Sequence, residues 1–131
     1  SDVNRNFLIE EGLAEYLGTQ TQYPDQYLLS QNELYESILN DSNYTIENLL
    51  NQSVPWDGYN YKYPFGSLLC EYVVKEKGNI GLNKMLYSDS QSSSELINLL
   101  CEILELTSKE LFLKLNSFIE IKIESSITNQ Y

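Results

Sequence analysis

Two carboxylates, Glu11 and Glu15, stand four residues apart in the stretch Phe7-Leu8-Ile9-Glu10-Glu11-Gly12-Leu13-Ala14-Glu15-Tyr16-Leu17. On a helix that spacing puts both in one row, with Leu8 a turn earlier. Phe7, Leu8 and Ala14 make the same side apolar. A charge on the apolar side of a helix needs a partner or a metal ion. Gly12 lies between the two acids. Inside a helix it costs roughly 1 kcal/mol against Ala, so it points to the close approach of another helix. Taken alone, two glutamates at this spacing describe an acidic, solvated helix face. Other chemistry is thinly supplied. The chain has no histidine, so neither a Ser-His nor a Cys-His nucleophile can be assembled from it. Cys70 and Cys101 each follow two leucines and precede a glutamate. They read as small buried hydrophobes on helices, with no neighbouring cation to stabilise a thiolate.

The elements that position these groups are helical. The first helix is expected over about residues 4–17, ending at Gly18, with a loop over 19–29 punctuated by Tyr23-Pro24-Asp25. Ser30-Gln31-Asn32-Glu33, Ser92-Ser93-Ser94-Glu95 and Thr107-Ser108-Lys109-Glu110 each fit the capping box, in which a hydroxyl and a carboxylate satisfy each other's amides. They predict helix starts near 30, 92 and 107. Thr45 caps a short helix over 46–51. Asp41-x-Asn43-x-Thr45 is not a calcium loop, because the turn glycine is missing and its twelfth position is Gln52. Residues 53–64 hold Trp56, Tyr59, Tyr61 and Tyr63 around Asp57-Gly58, and predict a loop whose rings either cover the core or face a ligand. Pro64 opens a helix that Gly78 closes; Asn79 starts another, to about Tyr87. Leu111, Leu115, Phe118, Ile119 and Ile123 share one side of the last helix. Ile119-x-Ile121-x-Ile123 alternates like a strand, which weakens the helical pattern in the last turn, and Tyr131 with the polar residues before it is expected to fray. No hairpin chemistry and no internal repeat is evident. The fold class is all-α, an irregular bundle of about six to eight helices in one domain over residues 1–131.

Leu8-Ile9-Glu10-Glu11-Gly12-Leu13-Ala14-Glu15-Tyr16 resembles the Trp-Leu-x-Glu-Gly-Leu/Phe-Ala-Glu-Tyr segment of the gluzincin zinc metallopeptidases. Residues 63–78 resemble that family's helix Tyr-x-x-Gly-x-x-phi-x-x-Tyr-phi-x-x-x-x-Gly, where phi is apolar. The turn into the final helix is similar as well. The resemblance makes Glu11 the third zinc ligand and Glu15 the carboxylate that supports the site from behind. It implies that a tyrosine among Tyr59, Tyr61 and Tyr63 faces the substrate and polarises the scissile carbonyl. Leu8 replaces the family's common Trp. The larger departure is that the His-Glu-x-x-His helix, which brings two ligands and the general base, has no counterpart in a chain without histidine. The resemblance therefore implies the C-terminal helical subdomain of such a peptidase, or a relative that has lost its catalytic helix. Zinc is expected for the intact family domain and none for this chain alone, which should be inert. The partners implied are a peptide or protein substrate, the N-terminal half of the domain, and a second copy meeting the Glu11 face. On that face Leu8 should lie bare. The alternative is a non-catalytic helical module that holds a partner protein in the old cleft. The family also implies an extracytoplasmic or cell-envelope location.

Composition sets the outer bounds. With 131 residues and 42% hydrophobic content, the chain can bury something like two thirds of its unfolded surface. Eight basic residues against 19 acidic ones give a net charge of −11. That charge repels phosphate backbones and anionic surfaces, so a nucleic-acid partner is excluded. No apolar run is long enough for a membrane span.

Overall fold

The computed structural model describes residues 6–56 and 58–128. Among them there is no strand, and the fold is an all-α irregular bundle. Seven α-helices come in order: α1 (Phe7–Leu13), α2 (Gln20–Gln22), α3 (Pro24–Asn40), α4 (Ile46–Asn51), α5 (Lys62–Leu86), α6 (Ser93–Leu104) and α7 (Ser108–Thr128). A π-helical segment, Ala14–Thr19, joins α1 to α2. Among the described residues no helix is long and apolar enough to cross a membrane.

Helix α5 is the spine. Phe65, Leu68, Leu69, Cys70, Tyr72 and Val73 are all buried on it, and α1, α3, α6 and α7 pack around it. Its long run hides a break: Gly78 takes φ 66°, ψ −160°, and the helix resumes beyond it. Gly78 thus closes the first stretch as expected, because only glycine enters that region without strain. Thr45 caps α4 through the Asn48 amide at 3.1 Å. Ser92 and Glu95 close a complete capping box at α6. Thr107 and Glu110 do the same at α7, at 3.2 and 3.0 Å.

Several expectations are corrected. The first helical run does not stop at Gly18; it continues through Gln22, and Gly18 keeps a negative φ. The loop expected over 19–29 is mostly helix, because Pro24 begins α3 and fixes φ where no amide is needed. Ser30 and Glu33 form no capping box, since both lie inside α3. Helix α5 starts at Lys62, two residues before Pro64. Helix α7 runs unbroken through Ile119, Ile121 and Ile123, with Ile119 and Ile123 buried as expected and Ile121 exposed. Cys70 is buried as expected, whereas Cys101 is only half-buried; both thiols are free. The tail expected to fray, from 129 on, falls outside the described residues.

Candidate functional site

Helix α1 crosses α5 at a contact that only glycines allow. A Cβ added to Gly12 would sit 2.6 Å from the Gly66 Cα, and one added to Gly66 would sit 2.8 Å from the Gly12 Cα. Both are far inside van der Waals contact. The two backbones therefore touch, and side chains flanking the two glycines are drawn together. On one flank the Tyr63 hydroxyl lies beside the Glu11 carboxylate, and the carboxylate's pull on the hydroxyl proton is the main cause of a raised Tyr63 pKa. Both residues remain half-exposed.

The π segment begins one residue before Glu15. Its wider turn rotates the residues beyond it, and such turns recur at functional sites. Glu15 is 8% exposed. Its Oε2 has no hydrogen-bond partner among the described residues. Burial pushes its pKa up; a hydrogen bond from the Thr19 side chain opposes this, and the nearby Glu11 charge adds to it. The row of acids inferred from the spacing thus exists, with Glu11 at the surface and Glu15 beneath it. Leu8 overturns an expectation. It is fully buried, because the α1–α5 approach encloses it. The large aliphatic and phenyl side chains left bare on this run are Phe7, at 60% exposure, and Leu17, at 57%, and the small Ala14 is exposed between them.

The three candidate tyrosines separate. Tyr63 alone reaches Glu11. The Tyr59 hydroxyl donates to the Ser30 carbonyl at 3.0 Å. Tyr61 is 6% exposed and meets Tyr44 edge-on, with ring centroids 6.1 Å apart. Tyr59 and Tyr61 therefore cover the core, and burial raises the pKa of both.

Sequence reasoning missed a buried polar chain under the crossing. Tyr27 and Ser67 share a hydrogen bond of 2.8 Å, and Gln31 donates to the Tyr27 hydroxyl at 2.8 Å. Burial pushes Tyr27 up to about 12. The available signal was Ser67, a small polar residue directly after Gly66 on the helix most central to the core. It also missed Asn6, which caps α1 through the Leu8 amide at 2.9 Å and donates to the distant Gln91 carbonyl at 2.7 Å.

The donor set can be tested against zinc. A catalytic zinc takes three protein ligands, with imidazole prominent among them. Among the described residues no group of three or more His, Cys, Asp or Glu side chains is placed to hold a metal. The chain has no histidine, and Glu15 lies a helical turn from Glu11. The residues present do not by themselves fit a catalytic zinc. Comparison with protein-family models, with curated proteins and with solved structures finds no match to this chain.

Proposed function

We propose that this chain is the C-terminal helical portion of a zinc-dependent peptidase, inert alone and active only with a segment carrying the two histidines and the general base. The observation that carries this reading is the Gly12–Gly66 crossing. It joins the two stretches that resemble the gluzincins and brings the carboxylate of one, Glu11, beside the hydroxyl of the other, Tyr63. The half-satisfied Glu15 behind them supports it further, since a buried carboxylate oxygen without a partner is costly and rare. In this reading Glu11 is the protein's own contribution to the metal, Tyr63 faces the substrate carbonyl, and Glu15 orients a donor from the other segment.

One observation favours a second reading. The Glu11 carboxylate already has the Tyr63 hydroxyl beside it, so the same face serves equally as a closed polar patch on a non-catalytic module that binds a partner protein.

Calorimetric zinc titration separates the two. The test uses this chain, the chain joined to its upstream coding segment, and Glu11→Gln in each. The peptidase reading expects weak or no zinc binding by this chain. It expects tight one-to-one binding by the longer chain, abolished or strongly weakened by Glu11→Gln. Tight zinc on the present chain would overturn it, as would a longer chain indifferent to Glu11→Gln. An upstream segment without a His-Glu-x-x-His helix leaves the binding-module reading.

A further inference from the structure

Beside the first turn of α1 lies a cleft of about 250 Å³, walled by Phe7, Pro55, Trp56, Tyr59, Tyr61 and Lys62. Trp56 is 77% exposed and Phe7 is 60% exposed. Rings of that size carry the largest apolar areas of any side chains, and buried Trp is the commonest kind of binding hot spot. Two of them facing water around one concavity mark a recognition surface. The floor is fixed in advance. Tyr59 is tied to the Ser30 carbonyl, and Tyr61 is wedged against Tyr44. A ligand therefore meets a preformed wall and bears little of the ordering cost.

The cleft's size and charge narrow its occupant. Its volume falls below the roughly 300–1,000 Å³ of sites that enclose whole small ligands, and suits a single side chain. The Lys62 ammonium stands 5.3 Å from the centre of the Phe7 ring. The opening therefore offers ring faces and a cation, and matches an aromatic side chain with a carboxylate next to it. The cleft also runs into the candidate site. Phe7 is one helical turn before Glu11, and Lys62 adjoins Tyr63.

We propose that the cleft between Phe7 and Trp56 seats one aromatic side chain of an extended peptide, with Lys62 holding an acidic residue beside it. The inference rests on the peptidase reading only in calling that peptide a substrate.

Trp56 is the only tryptophan in the chain, so its emission reports on the cleft directly. The full chain is titrated, without added metal, with N-acetyl-Phe-Glu-Ala-amide, with the Ser-Glu and Phe-Lys counterparts, and with maltotriose. The expected result is a saturable blue shift with the Phe-Glu peptide, none with the Ser-Glu peptide or the sugar, and binding weaker by about threefold with the Phe-Lys peptide. Phe7→Ser should weaken the Phe-Glu peptide by about fivefold or more. Lys62→Gln should erase the preference for Glu over Lys. Ile80→Ser, at an exposed position beyond Gly78, should change nothing. If Phe7→Ser loses helical circular dichroism, Lys62→Gln decides the matter alone. No saturable shift with the Phe-Glu peptide, an equal shift with the Ser-Glu peptide or the sugar, or a Lys62→Gln variant that keeps the preference would overturn the proposal. Because no zinc is present, the two ideas fail separately. Peptide binding without zinc in any longer chain removes the peptidase and keeps the cleft; zinc binding without the blue shift does the reverse.

Discussion

The two ends of the molecule solve the same problem in opposite ways. In the C-terminal pair, α6 and α7, every helix start is closed by its own neighbours. Ser92 with Glu95, and Thr107 with Glu110, form reciprocal caps. Hydrogen bonds from the Ser92 and Thr107 amides and hydroxyls hold the Glu95 and Glu110 carboxyls below the usual range. Between the two helices Glu105 turns the chain in the left-handed region at φ 58°. In the N-terminal run the closures are distant. Asn6 caps α1 but is itself held by Gln91 and Gln52. A π segment interrupts the helix, two backbones touch, and Glu15 sits buried with its pKa raised. Local rules are obeyed where the chain only has to fold. They are broken together where it holds a pair of carboxylates, and it is this clustering of departures that makes the pair a candidate site.

The largest test of that contrast is Gly12→Ala. The new methyl meets backbone, not a flexible side chain, so α1 has to move off α5. We expect a loss of about 3 kcal/mol or more in urea unfolding, and the same for Gly66→Ala. Gly18→Ala is the control. Nothing lies within 4 Å of its added Cβ, and its helical backbone should make the change neutral or mildly stabilising. Equal effects at Gly12 and Gly18 would show that the α1–α5 backbone contact does not set the N-terminal run apart.

The C-terminal pair should respond as independent local units. Ser92→Ala and Thr107→Ala each remove one cap, for about 1 kcal/mol apiece. The sites share no partner, so the double variant should lose the sum. A double variant far from additive in denaturant midpoints would show that these caps are coupled through the core like the N-terminal contacts.

This division also explains how much of the molecule is legible in its sequence. The α4, α6 and α7 starts, and the break at Gly78, are set by residues within a turn of one another, and each is where the sequence places it. Helix α3 is legible only from Ser30 to about Leu39, where Leu34 and Tyr35 point inward; its first turns escape because their inward residues are Tyr27 and Gln31. Polar residues bonded to Ser67 and to each other hide the apolar period. Ser30-x-x-Glu33 then imitates a helix start in the middle of a helix. The π segment leaves no local signal, since its cause is the packing of α1 on α5. At the candidate site, the acidic row and the meaning of Gly12 are readable. The selection of Tyr63 over Tyr59 and Tyr61 is not, because it depends on which tyrosine the Gly12–Gly66 crossing brings beside Glu11.

The smallest expected effect is the one that depends on pH. Glu15 is buried, its Oε2 is unbonded among the described residues, and its folded pKa is raised from the ordinary 4.5. For an acid the direction is fixed: the fold disfavours the ionised form more than the unfolded chain does. The penalty is therefore complete at pH above the raised value, shrinks as pH falls through it, and vanishes below 4.5, where both states are protonated. Glu15→Gln keeps the shape and removes the charge. We expect the variant to be more stable than the parent by up to about 1 kcal/mol at neutral pH, with the gap closing in acid. Urea midpoints of both proteins across that range provide the measurement. A Gln variant that is less stable at neutral pH, or a gap that does not change with pH, would mean that the Glu15 charge is compensated within the chain. The longer chain sharpens the point. If a donor from another segment completes the Glu15 hydrogen bonds, its carboxylate becomes a stabilising partner, and the same substitution should then destabilise at neutral pH. A change that helps this chain and harms the longer one would place Glu15 at a junction, not in a finished core.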